Sequence, residues 1–306
     1  VIELPAGAFP GVTQPVGLFA FTKARRRAPA GGGGAFPLAG AREGPALEGG
    51  QPAWLVGWPE GPRFPADGFS DPGVHTGNVA AKLVAAGPGG PGSAPLRVGR
   101  DVHPFRLDPP ARALRLDVTL GPGEYCTVRP EGRYRSAPIL LRQTARWPVA
   151  ALHRAPTYFR NSVLACAGVA GFDPEVLVAL LNSRLYRLLF SRLSPDARQR
   201  SFPQVKIGAL RRLPHPPAAL AGGTREAEAL RRLARRAAEE AERGGPVSAT
   251  LDALDAGVTA AFGLPGDAAD TVRAALDEVG SGARRGRLSG PLPEPPRPSS
   301  ADAARP

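Results

Sequence analysis

The sequence has no methionine, not even at its first position, and only three lysines, Lys23, Lys82 and Lys206. A chain that opens on Val1-Ile2-Glu3-Leu4 without an initiator reads as a piece of a longer protein, entered in the middle of a strand. Two cysteines, Cys126 and Cys166, cannot build a disulfide framework and are expected as small buried residues. No apolar run approaches the roughly 20 residues that cross a bilayer, and no secretory leader precedes the first strand. The expectation is therefore a cytoplasmic protein with no membrane partner. The four histidines are far apart and lack ligand spacing, which argues against a metal site. No lysine has an acid two residues before it, so the Asp/Glu-x-Lys core of a Mg-dependent nuclease is missing. The glycine run from Gly87 to Gly92 is not followed by Gly-Lys-Ser/Thr, and so reads as a flexible loop rather than a phosphate loop.

Arginine, glycine and proline are abundant instead. The formal net charge is +12, with 38 Gly and 36 Pro, which points to long loops. The charge is unevenly spread. Residues 101–212 hold 18 Arg and Lys against 8 Asp and Glu, whereas residues 251–306 hold 6 against 8. A positive charge gathered in one stretch suits a polyanion, because each neutralised phosphate releases counterions. Solvated arginines produced by a GC-rich coding bias would give the same sum.

Along the chain, Val1 to Leu4 and Val16 to Thr22 read as two short strands around a Pro/Gly loop. Residues 24–50, with Arg25, Arg26 and Arg27 and then Gly31 to Gly34, read as a linker. Short strands separated by Gly and Pro clusters follow over 52–150. At Asp173-Pro174-Glu175 the pattern changes to an N-cap, a first-turn proline and an early acid. Leucines at helical spacing then predict one helix from there to about Leu193, and residues 202–214 read as extended again. Helices are predicted after Thr224, over Ser248 to Phe262 and over Asp267 to Val279, with a disordered tail from Gly280. The fold class is α+β, organised as a strand pair (1–23), a linker (24–50), a β-rich domain with a Leu-rich helix (51–220), a helical region (221–279) and the tail (280–306).

Six segments, in order, carry a resemblance. They are Val1 to Val12 with Gly17-Leu-Phe-Ala-Phe-Thr-Lys23; Val74-His-Thr-Gly-Asn78; Pro95-Leu-Arg-Val-Gly-Arg-Asp-Val102; Pro138-Ile-Leu-Leu-Arg-Gln-Thr144; Leu180-Leu-Asn-Ser-Arg-Leu185; and Leu251-Asp-Ala-Leu-Asp-Ala256 with Phe262-Gly-Leu-Pro265. Together they resemble adenine-N6 DNA methyltransferases of fused restriction-modification type, with a TaqI-like C-terminal specificity domain. Pro138 stands where that family commonly has Lys. The resemblance implies that residues 1–23 close a methyltransferase sheet and that the rest recognises double-stranded DNA. It also implies a methyltransferase domain N-terminal to the chain, with or without a nuclease. S-adenosylmethionine is expected as the cofactor of the intact enzyme, with no cofactor site in this chain. The adenine-binding Asp/Asn-Pro-Pro-Tyr/Phe loop has only a decoy here: in Asp108-Pro109-Pro110-Ala111 the alanine cannot stack a flipped base.

The DNA-contact candidates are Arg25, Arg26 and Arg27; His75, Thr76 and Asn78; Arg142, Gln143 and Thr144; and Arg192, Arg198 and Arg200. Arginine can grip guanine and glutamine adenine through two hydrogen bonds each. Structural roles compete at several of these positions. Arg142 is equally suited to hold a buried carboxylate such as Asp101, Asn182-Ser183 to brace the β region, and His75 to Asn78 to form a plain turn. Trp147, Tyr158 and Phe159 are expected in the core. Two other readings remain: a module that docks on partners of a phage-defence complex through residues 224–279, and a decayed, inactive gene fragment.

Overall fold

The computed structural model describes residues 2–4, 16–18, 61–155, 157–198 and 202–285. Strands β1 (Ile2–Leu4) and β2 (Val16–Leu18) pair antiparallel, Ile2 opposite Leu18, in a sheet of two strands, as the apolar runs lead one to expect.

The β-rich part contains β3 (Phe69–Ser70), β4 (Val84–Ala86), β5 (Ser93–Arg97), β6 (Val102–His103), β7 (Arg106–Leu107), β8 (Arg112–Arg115), β9 (Ile139–Arg142), β10 (Ala150–Leu152), β11 (Tyr158–Phe159) and β12 (Val163–Cys166). One sheet has the order β10-β9-β12-β3 and the other β11-β5-β8-β4. All their pairings are antiparallel except β11 with β5. Single helical turns, α1 (Ala80–Leu83) and α2 (Gly132–Arg135), interrupt the strands. Strands β9 and β12 are apolar at consecutive positions because both faces of their sheet are covered. Ile139, Leu141, Leu164 and Cys166 pack into the cluster that contains the helices, whereas Leu140, Val163 and Ala165 pack into the second cluster, with Leu96, Leu114, Tyr134 and Phe159. Cys166 is buried as expected, and Cys126 is half-buried.

The leucine periodicity predicts one helix from Asp173 to Leu193, but the chain folds as two. Helix α3 (Pro174–Asn182) ends and α4 (Arg184–Leu193) begins at Ser183, which is extended at φ −62°, ψ 151°. Its hydroxyl donates to Leu180 O at 2.7 Å and accepts from Tyr186 N at 3.2 Å, so one side chain closes one helix and caps the next. The neighbouring Asn182 is fully buried and braces the β region, as expected. Its amide donates to Ala150 O at 2.8 Å and Val178 O at 2.9 Å, and its carbonyl accepts from Ala150 N at 3.1 Å. Strand β10 is an edge strand, and Asn182 gives Ala150 the donor and acceptor that a further strand would give.

Residues 202–214, expected to be extended, include a helical turn, α5 (Ile207–Leu210), because Ala209 and Leu210 are drawn into the core. Helix α6 (Arg225–Glu242) starts where Thr224 Oγ1 accepts from Ala227 N at 3.1 Å. Helices α7 (Ser248–Ala261) and α8 (Ala268–Arg285) follow. Helix α8 runs to Arg285, past Gly280, where order was expected to end; residues 286–306 lie outside the described residues. Leu230, Ala234, Leu254, Val258 and Val272 share one core with α3 and α4, so α6 to α8 and the β-rich part are packed on common ground. Arg184 fastens this packing. It donates from its backbone N to Asp255 at 2.8 Å and from Nη1 to Asp255 at 2.8 Å and to Asp252 at 2.5 Å.

Two glycines hold a turn between them. A Cβ on Gly73 would lie 2.5 Å from Asn161 N, and one on Gly99 would lie 2.6 Å from Ser162 O. Backbone cannot yield as a flexible side chain does, so Gly99→Ala is expected to cost about 1–3 kcal/mol by overpacking. Thermal unfolding checks this, and an unchanged Tm would show that the turn can move aside.

Candidate nucleic-acid interface

The Gly99-Arg100-Asp101 segment divides its work among three residues. Gly99 allows the close approach to Ser162, and its N–H donates to Ser162 Oγ at 2.9 Å. Asp101 is buried and accepts from Val98 N at 2.8 Å. Arg100 is left exposed. The expected Arg142–Asp101 pairing is not formed. Arg142 Nε donates instead to Thr144 O at 2.9 Å, two residues on, because the chain turns immediately after β9. Each group finds a backbone partner close by in sequence, Val98 N for Asp101 and Thr144 O for the Arg142 Nε.

That turn is the centre of the site. Gln143 N donates to Ser162 O at 3.0 Å, and Gln143 O accepts from Val205 N at 2.8 Å and Ala145 N at 3.0 Å. The 142–147 turn is thereby fixed between the 160–162 turn and the chain that precedes α5. The chain after α4 enters a short helical turn at Pro195–Arg198, and Lys206 Nζ lies 3.8 Å from Asp196. Arg212 Nη1 reaches back to Leu193 O at 3.3 Å. Arg142, Gln143 and Thr144 are thus brought together with the segment that carries Arg192, Arg198 and Lys206. Phe202, 81% exposed and at φ 52°, sits in the same segment. A bulky residue held at positive φ with its ring in solvent is uncommon.

His75, Thr76 and Asn78 lie on the other side of the 160–162 turn, where Val74 O accepts from Asn161 N at 3.2 Å. They make a turn that clamps a loop. His75 exchanges backbone hydrogen bonds with Thr127, Asn78 accepts from Tyr125 N at 3.0 Å and donates to Gly123 O at 2.9 Å, and buried Thr76 accepts from Arg160 at 3.0 Å. Arg160 Nε is buried without a hydrogen-bond partner. Arg25, Arg26, Arg27 and Arg200 lie outside the described residues.

Sequence reading missed Arg146 and Arg187. Both guanidinium carbons lie over the Trp147 ring, each 5.9 Å from its centroid. Trp147 is half-buried, packed against the main core but not enclosed by it, whereas Phe159 is buried as expected and Tyr158 half-buried. Burial pulls Arg187 down to about 10; Asp255 opposes the shift and Arg184 adds to it. Burial lowers Arg192 in the same direction. The spacing of Arg184 and Arg187 on one helical face is the signal that was available.

Acids near the basic stretch are largely committed elsewhere. Asp108 holds His103 at 2.7 Å and Arg106 at 3.0 Å, and its carbonyl accepts from buried Arg97. This makes the Asp108-Pro109-Pro110 segment a structural link between β7 and β8. On α6, Arg231, Arg235 and Arg236 pair with Glu228, Glu175 and Glu240. Among the described residues no group of three or more His, Cys, Asp or Glu is placed to hold a metal ion, and no helix is long and apolar enough to cross a membrane.

Among curated proteins none matches the chain. Strands β3 and β4 pair with β12 and β8, so the folded unit reaches upstream of the span that is similar to a known family. That span, residues 94–215, contains the 142–147 turn, α3 and α4, and it matches the TaqI-like C-terminal specificity domain.

Proposed function

We propose that the chain is the target-recognition part of a site-specific adenine-N6 DNA methyltransferase, and that the 142–147 turn and the segment from α4 to α5 meet double-stranded DNA. The observation that carries this reading is that the match over 94–215 contains the place where Arg146 and Arg187 converge on Trp147, next to Arg142, Gln143 and Thr144 in the same turn. Phosphate contacts there would set the position of the protein on the duplex, and base contacts would specify the sequence. Arg142, Gln143 and Thr144 have the chemistry for the second task. Methyl transfer, and the binding of S-adenosylmethionine, belong in this reading to a methyltransferase domain that works with this chain. The intact enzyme serves restriction-modification or phage defence.

Binding of labelled duplexes across a range of salt tests the assignment. Affinity should fall steeply with salt and depend weakly on sequence, because the register set by the catalytic domain is needed for base readout. Reversing Arg198 and Arg200 to Glu should weaken all duplexes alike, on the order of 10-fold or more when two phosphate contacts become repulsive. Reversing Arg231 and Arg232 should matter much less, since Arg231 already has an acidic partner in Glu228. If the second pair proved more damaging, the DNA surface would move to α6, and absence of duplex binding would remove the reading.

A further inference from the structure

We propose that Arg146, Trp147 and Arg187 form a cradle for a phosphodiester group of the duplex, an inference that rests on the DNA-binding reading above. The three residues come from two elements, the turn after β9 and the middle of α4, and meet only in the folded chain. Each guanidinium lies 5.9 Å from the Trp147 centroid, so the two cannot be farther apart than about 12 Å. One strand of a duplex presents a phosphate about every 3.4 Å along the axis, so the pair can hold one phosphate or neighbouring ones.

The cradle lacks a negative partner of its own. Among the described residues neither Arg146 nor Arg187 forms an ion pair, and Arg187 Nε is buried without a hydrogen bond. Asp255, the acid that acts on Arg187, is spent on Arg184, and Arg184 in turn repels Arg187. Burying a cation without an anion is costly. The face of an indole returns only part of that cost, about 0.5–1 kcal/mol at an exposed site and about 2 kcal/mol at a desolvated one. A second cation over the same ring adds repulsion. An arriving oxyanion removes the repulsion, and a planar guanidinium can bond two of its oxygens at once.

The position favours a backbone phosphate over a base edge. Arg142, Gln143 and Thr144 precede the cradle in the same turn, so a phosphate held at Trp147 would fix the distance at which that turn approaches the groove. The anchored Gln143, bonded through its backbone on both sides, makes that distance rigid.

Trp147 reports on its own cradle. It is one of three tryptophans, so Trp54→Phe with Trp58→Phe leaves it as the sole indole. In that chain a 20-base-pair duplex is expected to shift Trp147 emission saturably, and inorganic phosphate to reproduce the shift only at far higher concentration. Arg146→Gln and Arg187→Gln should each lower the slope of log affinity against log salt by about one. The loss should be the same for every duplex sequence. Thermal unfolding of both variants separates binding from folding, and if Arg187→Gln does not fold, Arg146→Gln on the turn carries the comparison. Duplex binding with silent Trp147 emission and unchanged slopes would overturn the cradle and leave the DNA-binding reading standing. Equal response to inorganic phosphate and duplex would reduce it to a general anion site and overturn the phosphodiester assignment. No duplex binding by the parent chain would overturn both.

Discussion

Replacing Asp255 with alanine is expected to destabilise the protein by about 3 kcal/mol, the lower end of the cost of breaking a buried ion pair, because Arg184 keeps its bond to Asp252. Asp255 is 2% exposed and Arg184 18%, and the two are joined by backbone and side-chain hydrogen bonds of 2.8 Å. The partners respond differently to the burial they share. Desolvation pushes the Asp255 carboxyl up more than Arg184 pulls it down. For Arg184 burial pulls down, yet the bonds and charges of Asp252 and Asp255 together raise it. The geometry decides for a charged pair, because Asp255 accepts two hydrogen bonds that a protonated carboxyl would weaken. The loss therefore lies in a half-buried arginine left with Asp252 alone, and in its backbone N–H left without an acceptor, rather than in any large net value of the pair. Two comparisons separate these. Asp252→Ala removes a 45% exposed carboxylate and should cost no more than about 1 kcal/mol. Arg184→Met with Asp255→Leu should recover most of the stability lost in Asp255→Ala. Urea unfolding monitors all three, and a cost below about 1 kcal/mol for Asp255→Ala would contradict the argument.

Asn182→Ala is the second substitution expected to be severe, at about 3 kcal/mol from lost hydrogen bonds and the cavity left behind. Ala150 O would keep its bond from Phe105 N at 2.9 Å, but Ala150 N, fully buried, would lose its acceptor. For a domain of this size the Tm should fall on the order of 6–12 °C. Asn182→Asp keeps the volume and is the sharper variant. It removes both donors and turns a carboxylate toward the carbonyls of Ala150 and Val178. Its instability should ease as the pH is lowered and the carboxyl gains a proton, whereas that of Asn182→Ala should not. Equal behaviour of the two variants across pH would show that Asn182 acts by its volume alone.

Local signals made part of this architecture legible. The Asp173-Pro174 start, the Thr224 cap and the strand pair at the beginning rest on residues next to one another, and each is found where the sequence places it. The break at Ser183 escaped notice because Leu180, Leu181, Leu185, Leu188 and Leu189 are buried on both sides of it. Their periodicity runs on through a single extended residue. At the candidate interface the sequence offered Arg142, Gln143 and Thr144 and, after the Leu-rich helix, Arg192 and Arg198, but not Arg146 or Arg187. Trp147 and Arg187 are joined across 40 positions of chain, and Arg184 and Asp255 across 71, by packing that no local pattern reports. The expected partnership of Arg142 with Asp101 failed for a related reason: each found a backbone group closer in sequence.

The central sheet has one further property. A strand with one wet face is aligned by its own pattern, since slipping by one residue would turn every apolar side chain to water. Strands β9 and β12 have no wet face, and a slipped pairing would bury nearly as much. Their alignment must be written in polar bonds instead. Asn182 grips Ala150, His153 N donates to Pro138 O at 2.8 Å, and Gln143 N finds Ser162 O while Ser162 Oγ finds Gly99 N. These few contacts act as the notches of a zip, and the turn that carries Arg142 to Trp147 takes its place on the surface from them.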